Sequence, residues 1–304
     1  MTTADGLRDY DPARERAIAH EILRRALLAG PLPYTVHPGE WDWWCYHADP
    51  RLPEPLRLIG SDVLAWLGSD GELSAFGTAV ADTDLPDGPQ PHGDRLAEVL
   101  LQVAARAGEG AVRSVGWVSH LDGRREGLLR AAGFGPAGSP MTVFTRPSAV
   151  PGVPVPPLPP GFAVRPLAGP QEAQGRADAA RLAFASTMPA AQHRARYRRF
   201  MASPAYPPRR DLVVVTPDGE IAAFAIWWPD HELRLGQLEP VGTHPRWQGQ
   251  GLGRAVVHAC LAAMAAEGLD SARVCTEVHR TAAQALYRSC GFSAVDALRW
   301  WSRA

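Results

Sequence analysis

Between Leu238 and Ala255 the chain reads LEPVGTHPRWQGQGLGRA, its densest run of residues able to do chemistry. A strand pattern runs to Thr243, a loop passes Pro245, and Gly249, Gly251 and Gly253 lead into a helix. Glycines let backbone approach a ligand closely, and the first N–H groups of a helix have no intrahelical partner, so such an entry can bind an anion. The helix dipole adds roughly half a positive charge there, and Arg246 and Arg254 can add full ones. A pyrophosphate fits this pattern; a glycine-rich helix entry without ligand is the plain alternative. The loop follows a long antiparallel strand late in its domain and has no Lys-Ser/Thr, so it fits neither a Rossmann loop nor a P-loop.

The elements that must position these residues follow from periodicity and turn signals. Phe162–Pro166 reads as a strand, Gln171–Phe184 and Gln192–Met201 as helices, and Leu212–Thr216 as a strand ending in the turn Pro217-Asp218-Gly219. Ile221–Trp228 returns antiparallel, Leu233–Thr243 is a third strand, and Gly251–Glu267 is a helix ended by Gly268. Ala272–Glu277 is a strand, Thr281–Ser289 a helix, and Phe292–Trp300 a closing strand. The order β-αα-β-β-β-α-β-α-β mixes hairpins with a βαβ unit, so the fold class is α+β.

A chain of 304 residues has room for two domains. Seven prolines in the 14 residues from Pro147 to Pro160 form a stiff, extended linker. We therefore expect domains at 1–146 and 161–304, joined by 147–160. DGELSAF at 70–76 pairs with DGEIAAF at 218–224 at an offset of 148, and LLRAAGF at 128–134 with LYRSCGF at 286–292 at an offset of 158. The two anchors predict one architecture used twice, with about ten residues deleted from the first copy between Gly77 and Gly93.

Thirty-one basic residues, all arginine, balance 32 acidic ones, which gives no pull toward nucleic acid or membrane. The absence of lysine excludes a Schiff-base lysine. No apolar run is long enough to span a membrane, and the N-terminus lacks a signal peptide's apolar core. Cys45, Cys260, Cys275 and Cys290 show neither CxxC spacing nor an activating partner; they read as reduced thiols in a cytoplasmic protein, with no metal site.

Leu238, Val241, Thr243, Pro245, Gln248, Gly249, Gly251 and Gly253 together resemble motif A of the GCN5-related N-acetyltransferases (GNAT), and ALYRSCGF at 285–292 resembles their motif B. The resemblance covers residues 161–304 well and reaches 1–146 only through the repeat. It implies two GNAT-like domains, each a mixed, mostly antiparallel sheet flanked by helices. It also implies acetyl-CoA as acyl donor. Gln248, Gly249, Gln250, Gly251, Leu252, Gly253 and Arg254 would hold the pyrophosphate, and Val241 and Thr243 would pair with the pantetheine. Arg280, where relatives often have Asn, would reach a phosphate or stay on the surface. The implied reaction is acetyl transfer to a primary amine, with Tyr287 as proton donor to the CoA sulfur and Glu239 as base; a water chain is the rival base. His244 reads as a loop residue and Glu232 as a surface charge.

The acceptor is expected to be a small molecule, and a homodimer is compatible with the chain. A non-catalytic acyl-CoA sensor or scaffold and a protein N-acetyltransferase are the alternatives; a sensor would need no Tyr287. The first half aligns Gln90-Pro91-His92-Gly93-Asp94-Arg95 with the glycine loop and Leu129 with Tyr287, so it reads as a degenerate copy. GEWDWWCYHADP at 39–50 reads chiefly as an inter-domain aromatic core, with a cation–π cage for an amine as the second reading.

Overall fold

A computed structural model describes residues 6–29, 36–47, 54–60, 62–77, 92–108, 110–147 and 157–303. The first half runs β1 (Arg8–Asp9), α1 (Pro12–Ala29), α2 (Pro38–Tyr46), β2 (Leu56–Ile59), β3 (Val63–Leu67), β4 (Glu72–Gly77), α3 (His92–Ala107), β5 (Ser114–Ser119), α4 (Gly123–Ala131) and β6 (Gly135–Pro147). The second runs β7 (Ala163–Pro166), α5 (Ala173–Ala183), α6 (Ala190–Met201), β8 (Asp211–Val215), β9 (Ile221–Asp230), β10 (Leu235–Thr243), α7 (Leu252–Ala266), β11 (Ser271–Glu277), α8 (Thr281–Ser289) and β12 (Ser293–Ser302). Both halves show the order β-αα-β-β-β-α-β-α-β, as the periodicity of the second half predicts.

All twelve strands form one sheet, ordered β1-β2-β3-β4-β5-β12-β6-β11-β10-β9-β8-β7. The last strand of each half is exchanged: β6 pairs with β11 along Ser271↔Pro147 to Glu277↔Met141, and β12 pairs with β5. β6 and β12 also pair with each other at the centre. The halves are thus bonded through backbone hydrogen bonds. Residues 148–156, the bulk of the expected linker, lie outside the described residues.

Helices cover both faces of each half. In the second, α7 packs Val256, Val257, Cys260 and Met264 on one face, while α5 and α6 cover Phe224, Ile226 and Trp228 on the other. β9 lies between these layers, which is why its sequence, IAAFAIWWPD, is nearly continuous in apolar residues. In the first half, Val99 and Val103 of α3 back one face, and Ile22, Leu23 and Trp41 of α1 and α2 the other.

One anchor of the repeat is corrected by the topology. β4 lies parallel to β5 from Glu72↔Ser114, as β10 lies parallel to β11 from Leu235↔Ser271. The Asp70-Gly71 turn therefore corresponds to the β9–β10 turn, not to Asp218-Gly219 between β8 and β9. Both turns need a glycine at positive φ (80° at Gly71, 81° at Gly219), and Asp-Gly is the common solution for any tight hairpin. The shared letters report turn chemistry rather than descent. The deletion inferred from them disappears: residues 78–91 separate β4 from α3, whereas only 244–251 separate β10 from α7. The second anchor holds, since α4 and α8 are equivalent.

Candidate active site

β10 and β11 stay paired only from Leu235↔Ser271 to Gln237↔Arg273, then diverge. On its far side β10 remains bonded to β9, with the register broken between Leu238 and Val241. The break falls at Glu239-Pro240, where proline has no N–H to give to a ladder. The divergence opens a cavity of about 1140 Å³ that runs from the glycine loop to α2 of the first half.

At the loop end, His244 Nδ1 accepts from Arg246 N at 3.1 Å and caps the short turn Pro245–Trp247, a structural role. Gly251, at φ 77°, is the N-cap of α7, and among the described residues no side chain caps that helix. An L-residue is strained at this φ, and an uncapped first turn leaves its N–H groups for a ligand. Val241, Thr243, Gln248, Gly249, Leu252, Gly253 and Arg254 also line the cavity. Gln250 is exposed and is not among the lining residues. Arg280 lines the mouth and is ion-paired with Glu277. Glu232 lies on the surface against Arg24, at 3.2 Å.

Deeper in, Glu239 and Tyr287 face the same cavity. Tyr287 is buried between Phe144 of β6 and Phe292, at centroid distances of 5.9 and 6.0 Å. Burial, together with Cys275 and Glu239, pushes its hydroxyl well above the ordinary phenol range, so it stays protonated. Glu239 lies deep in the molecule yet opens to the cavity. Burial, then the neighbouring Glu40 carboxyl, raises it well above the usual carboxylate range. Arg273, which opposes that shift, donates to Gln237 Oε1 at 2.8 Å.

Several lining residues escaped the sequence reading. Glu40, Trp43 and His47 come from α2 and its C-terminal cap in the first half, and Arg176, His193, Arg196 and Tyr197 from α5 and α6. His37-Pro38-Gly39-Glu40 is legible as a capping box, and the cap is formed, but nothing local announces where Glu40 lands. The aromatic segment divides between core and cavity wall. Trp41 is fully buried against Tyr10 and Trp66, while Trp43 stacks on His47 at 3.8 Å, meets Phe200 of α6 at 4.8 Å, and lines the cavity. Leu129, equivalent to Tyr287, is buried in the first half's core. None of Cys45, Cys260, Cys275 and Cys290 is in a disulfide. Among the described residues no His/Cys/Asp/Glu cluster could hold a metal, and no helix is long and apolar enough to cross a membrane.

Residues 178–292 match the Acetyltransferase (GNAT) family. A mycothiol acetyltransferase of Streptomyces griseus is 42% identical over 77 residues, 25% of this chain and 25% of that protein. The match thus spans a quarter of that relative's length. A tandem GNAT protein from the clavulanic acid biosynthesis pathway superposes with a TM-score of 0.68 at 13% identity, covering 97% of each chain. A GCN5-related N-acetyltransferase from Sphaerobacter thermophilus superposes with a TM-score of 0.60 at 16% identity, covering 97% of this chain and 94% of its own. At these identities the solved structures speak for the fold, and they do so over both halves.

Proposed function

We propose that the chain, whose residues 178–292 match the Acetyltransferase (GNAT) family, is an acetyl-CoA-dependent N-acetyltransferase acting on the primary amine of a small molecule. The observation that carries this reading is the cleft: an uncapped helix entry at Gly251 opens into a cavity that ends at Glu239 and Tyr287. The residues fit the donor. The N–H groups of Leu252, Gly253 and Arg254 suit a pyrophosphate, and the unpaired edge of β10 around Val241 and Thr243 suits an amide-bearing arm, as a strand would pair. Acetyl-CoA, when bound, supplies the activated acyl group.

The chain's own groups then divide the proton work. A free amine has a pKa of roughly 10 and arrives protonated, and Glu239 takes that proton. Burial, then the Glu40 carboxyl, raises its affinity for a proton, which strengthens it as a base. The main-chain N–H at Val241 is the candidate donor to the oxygen that gains charge. The Tyr287 hydroxyl, held protonated, hydrogen-bonds the departing sulfur and gives up its proton as the new amide nitrogen loses one. A phenol so far above the ordinary range is a poor free acid, so its stabilising hydrogen bond is the larger part of its role. Four cysteines outside any disulfide suit a reducing compartment, and we assign the chain to the cytoplasm.

The curated relative makes a mycothiol-related amine the first acceptor to try. The test is an acceptor panel read by release of free CoA thiol. Acetyl-CoA should also raise the melting temperature, and Gly251→Glu should abolish that rise. A rise unchanged in the variant would place the donor elsewhere.

A further inference from the structure

The base proposed above does not stand alone. Glu40 reaches the cavity from the first half and lines it together with Glu239, whose pKa its carboxyl helps to raise. It is fixed there by its own helix: Glu40 Oε2 accepts from His37 N at 3.4 Å in the capping box of α2. Gly39 beside it packs so closely on Trp228 of β9 that an added Cβ would lie 2.3 Å from the Trp228 Cβ. Helix α2 is thus seated on the second half's sheet, and Glu40 is carried to the point where β10 and β11 part. Arg273 Nη2 lies 3.9 Å from Glu40 Oε2.

Two carboxyls that face one buried cavity as neighbours cannot both be ionised at modest cost, and a proton held between them is the ordinary solution. The pair then carries one negative charge. Arg273 of β11 faces it from one side, His37 lies at the cap of α2, and Tyr287 of α8 and Cys275 of β11 are the other titratable groups nearby. Arg273 also serves Gln237. As structural filling, two buried acids would be poor, because an apolar pair of similar size would cost less. They line a cavity whose walls also include Trp43 and Trp117.

We propose that Glu40 and Glu239 together form the acceptor's ammonium seat, so that the active site is completed by a carboxylate from the first half. The proposal rests on the acetyltransferase reading and adds to it a second catalytic carboxylate and a substrate class, an amine that binds as its cation. The ammonium enters as counter-ion to the pair and transfers one N–H proton to it, which leaves both carboxyls protonated and the amine neutral. The amine lone pair is then free to form the C–N bond as the C–S bond breaks. The proton held on the pair leaves through the cavity to solvent.

The test uses the full chain and needs no identified acceptor. Infrared difference titration between about pH 4 and about pH 9 follows the protonated-carboxyl stretch, with each variant subtracted from wild type. Glu40→Gln keeps the capping box, because glutamine serves at that position. In it the last carboxyl proton should be lost at least about one pH unit lower than in wild type, since the like charge is gone. Glu239→Gln should shift the proton remaining on Glu40 the same way. Methylammonium chloride, compared with sodium chloride at equal ionic strength, should shift the wild-type band near neutral pH without abolishing it, since the seated cation balances a pair that keeps its shared proton, and should leave both variants unchanged. A Glu40→Gln titration identical to wild type, or methylammonium acting as sodium does, overturns the seat. Acetyl-CoA should stabilise Glu40→Gln as it stabilises wild type. Its failure to stabilise wild type would overturn the donor reading instead, and leaves the carboxyl result readable by itself.

Discussion

The two halves open their sheets at the same place and use the opening differently. In the second, β10 and β11 part after Gln237↔Arg273 and the gap is a cavity. In the first, β4 and β5 part after Leu73↔Val115, and aromatic rings gather there. Trp117 of β5 packs against Trp44 at 5.1 Å and Trp300 at 5.5 Å. The Trp300 indole lies so near Gly116 that an added Cβ would be 2.8 Å from its nitrogen. Trp300 comes from β12, the strand lent by the second half, and Trp117 and Met141 form part of the cavity wall. The same divergence can hold a ligand or be packed with side chains. The side chains at hand decide, not the strand order.

This comparison can be broken at several points, and the largest effect concerns the exchanged strands. Residues 1–147 and 157–304 expressed apart should each lack a cooperative unfolding transition, because each has lost a central strand pairing; co-expressed, they should reassemble. Independent cooperative folding of either piece by circular dichroism would show that the exchange is dispensable. Next comes the tyrosine and its counterpart. Tyr287→Phe should lower kcat by roughly 10²-fold or more with acetyl-CoA affinity unchanged within about twofold, while Leu129→Met should cost less than about 1.5 kcal/mol of stability and leave kcat alone. Equal kinetic effects at both positions would mean that both openings work. Smaller still, Gly39→Ala forces a methyl into Trp228 and should cost about 1–3 kcal/mol in denaturant unfolding. It should also raise the acceptor KM more than it lowers kcat. An unchanged protein would mean that α2 is not held where Glu40 needs it.

Much of the second half was legible because its signals are local. Gly251 at positive φ, the strand ended at Thr243 and the helix around Tyr287 each follow from residues close in sequence. What escaped is long-range. Glu40 and Glu239 are distant in sequence and meet only because α2 lies on β9. The exchange of β6 and β12 leaves no mark on either strand, since each has the same alternation whichever neighbour it pairs with. The repeat was read correctly at Gly133-Phe134 and Gly291-Phe292. It was misread at Asp70-Gly71, where turn chemistry imitates kinship.

We propose one donor site per chain, in the second half, with the first half serving the acceptor. Isothermal titration calorimetry of the full chain with acetyl-CoA tests it most directly. The account predicts a stoichiometry of one, lost in Gly251→Glu. A stoichiometry of two, or one site that survives Gly251→Glu, would contradict it.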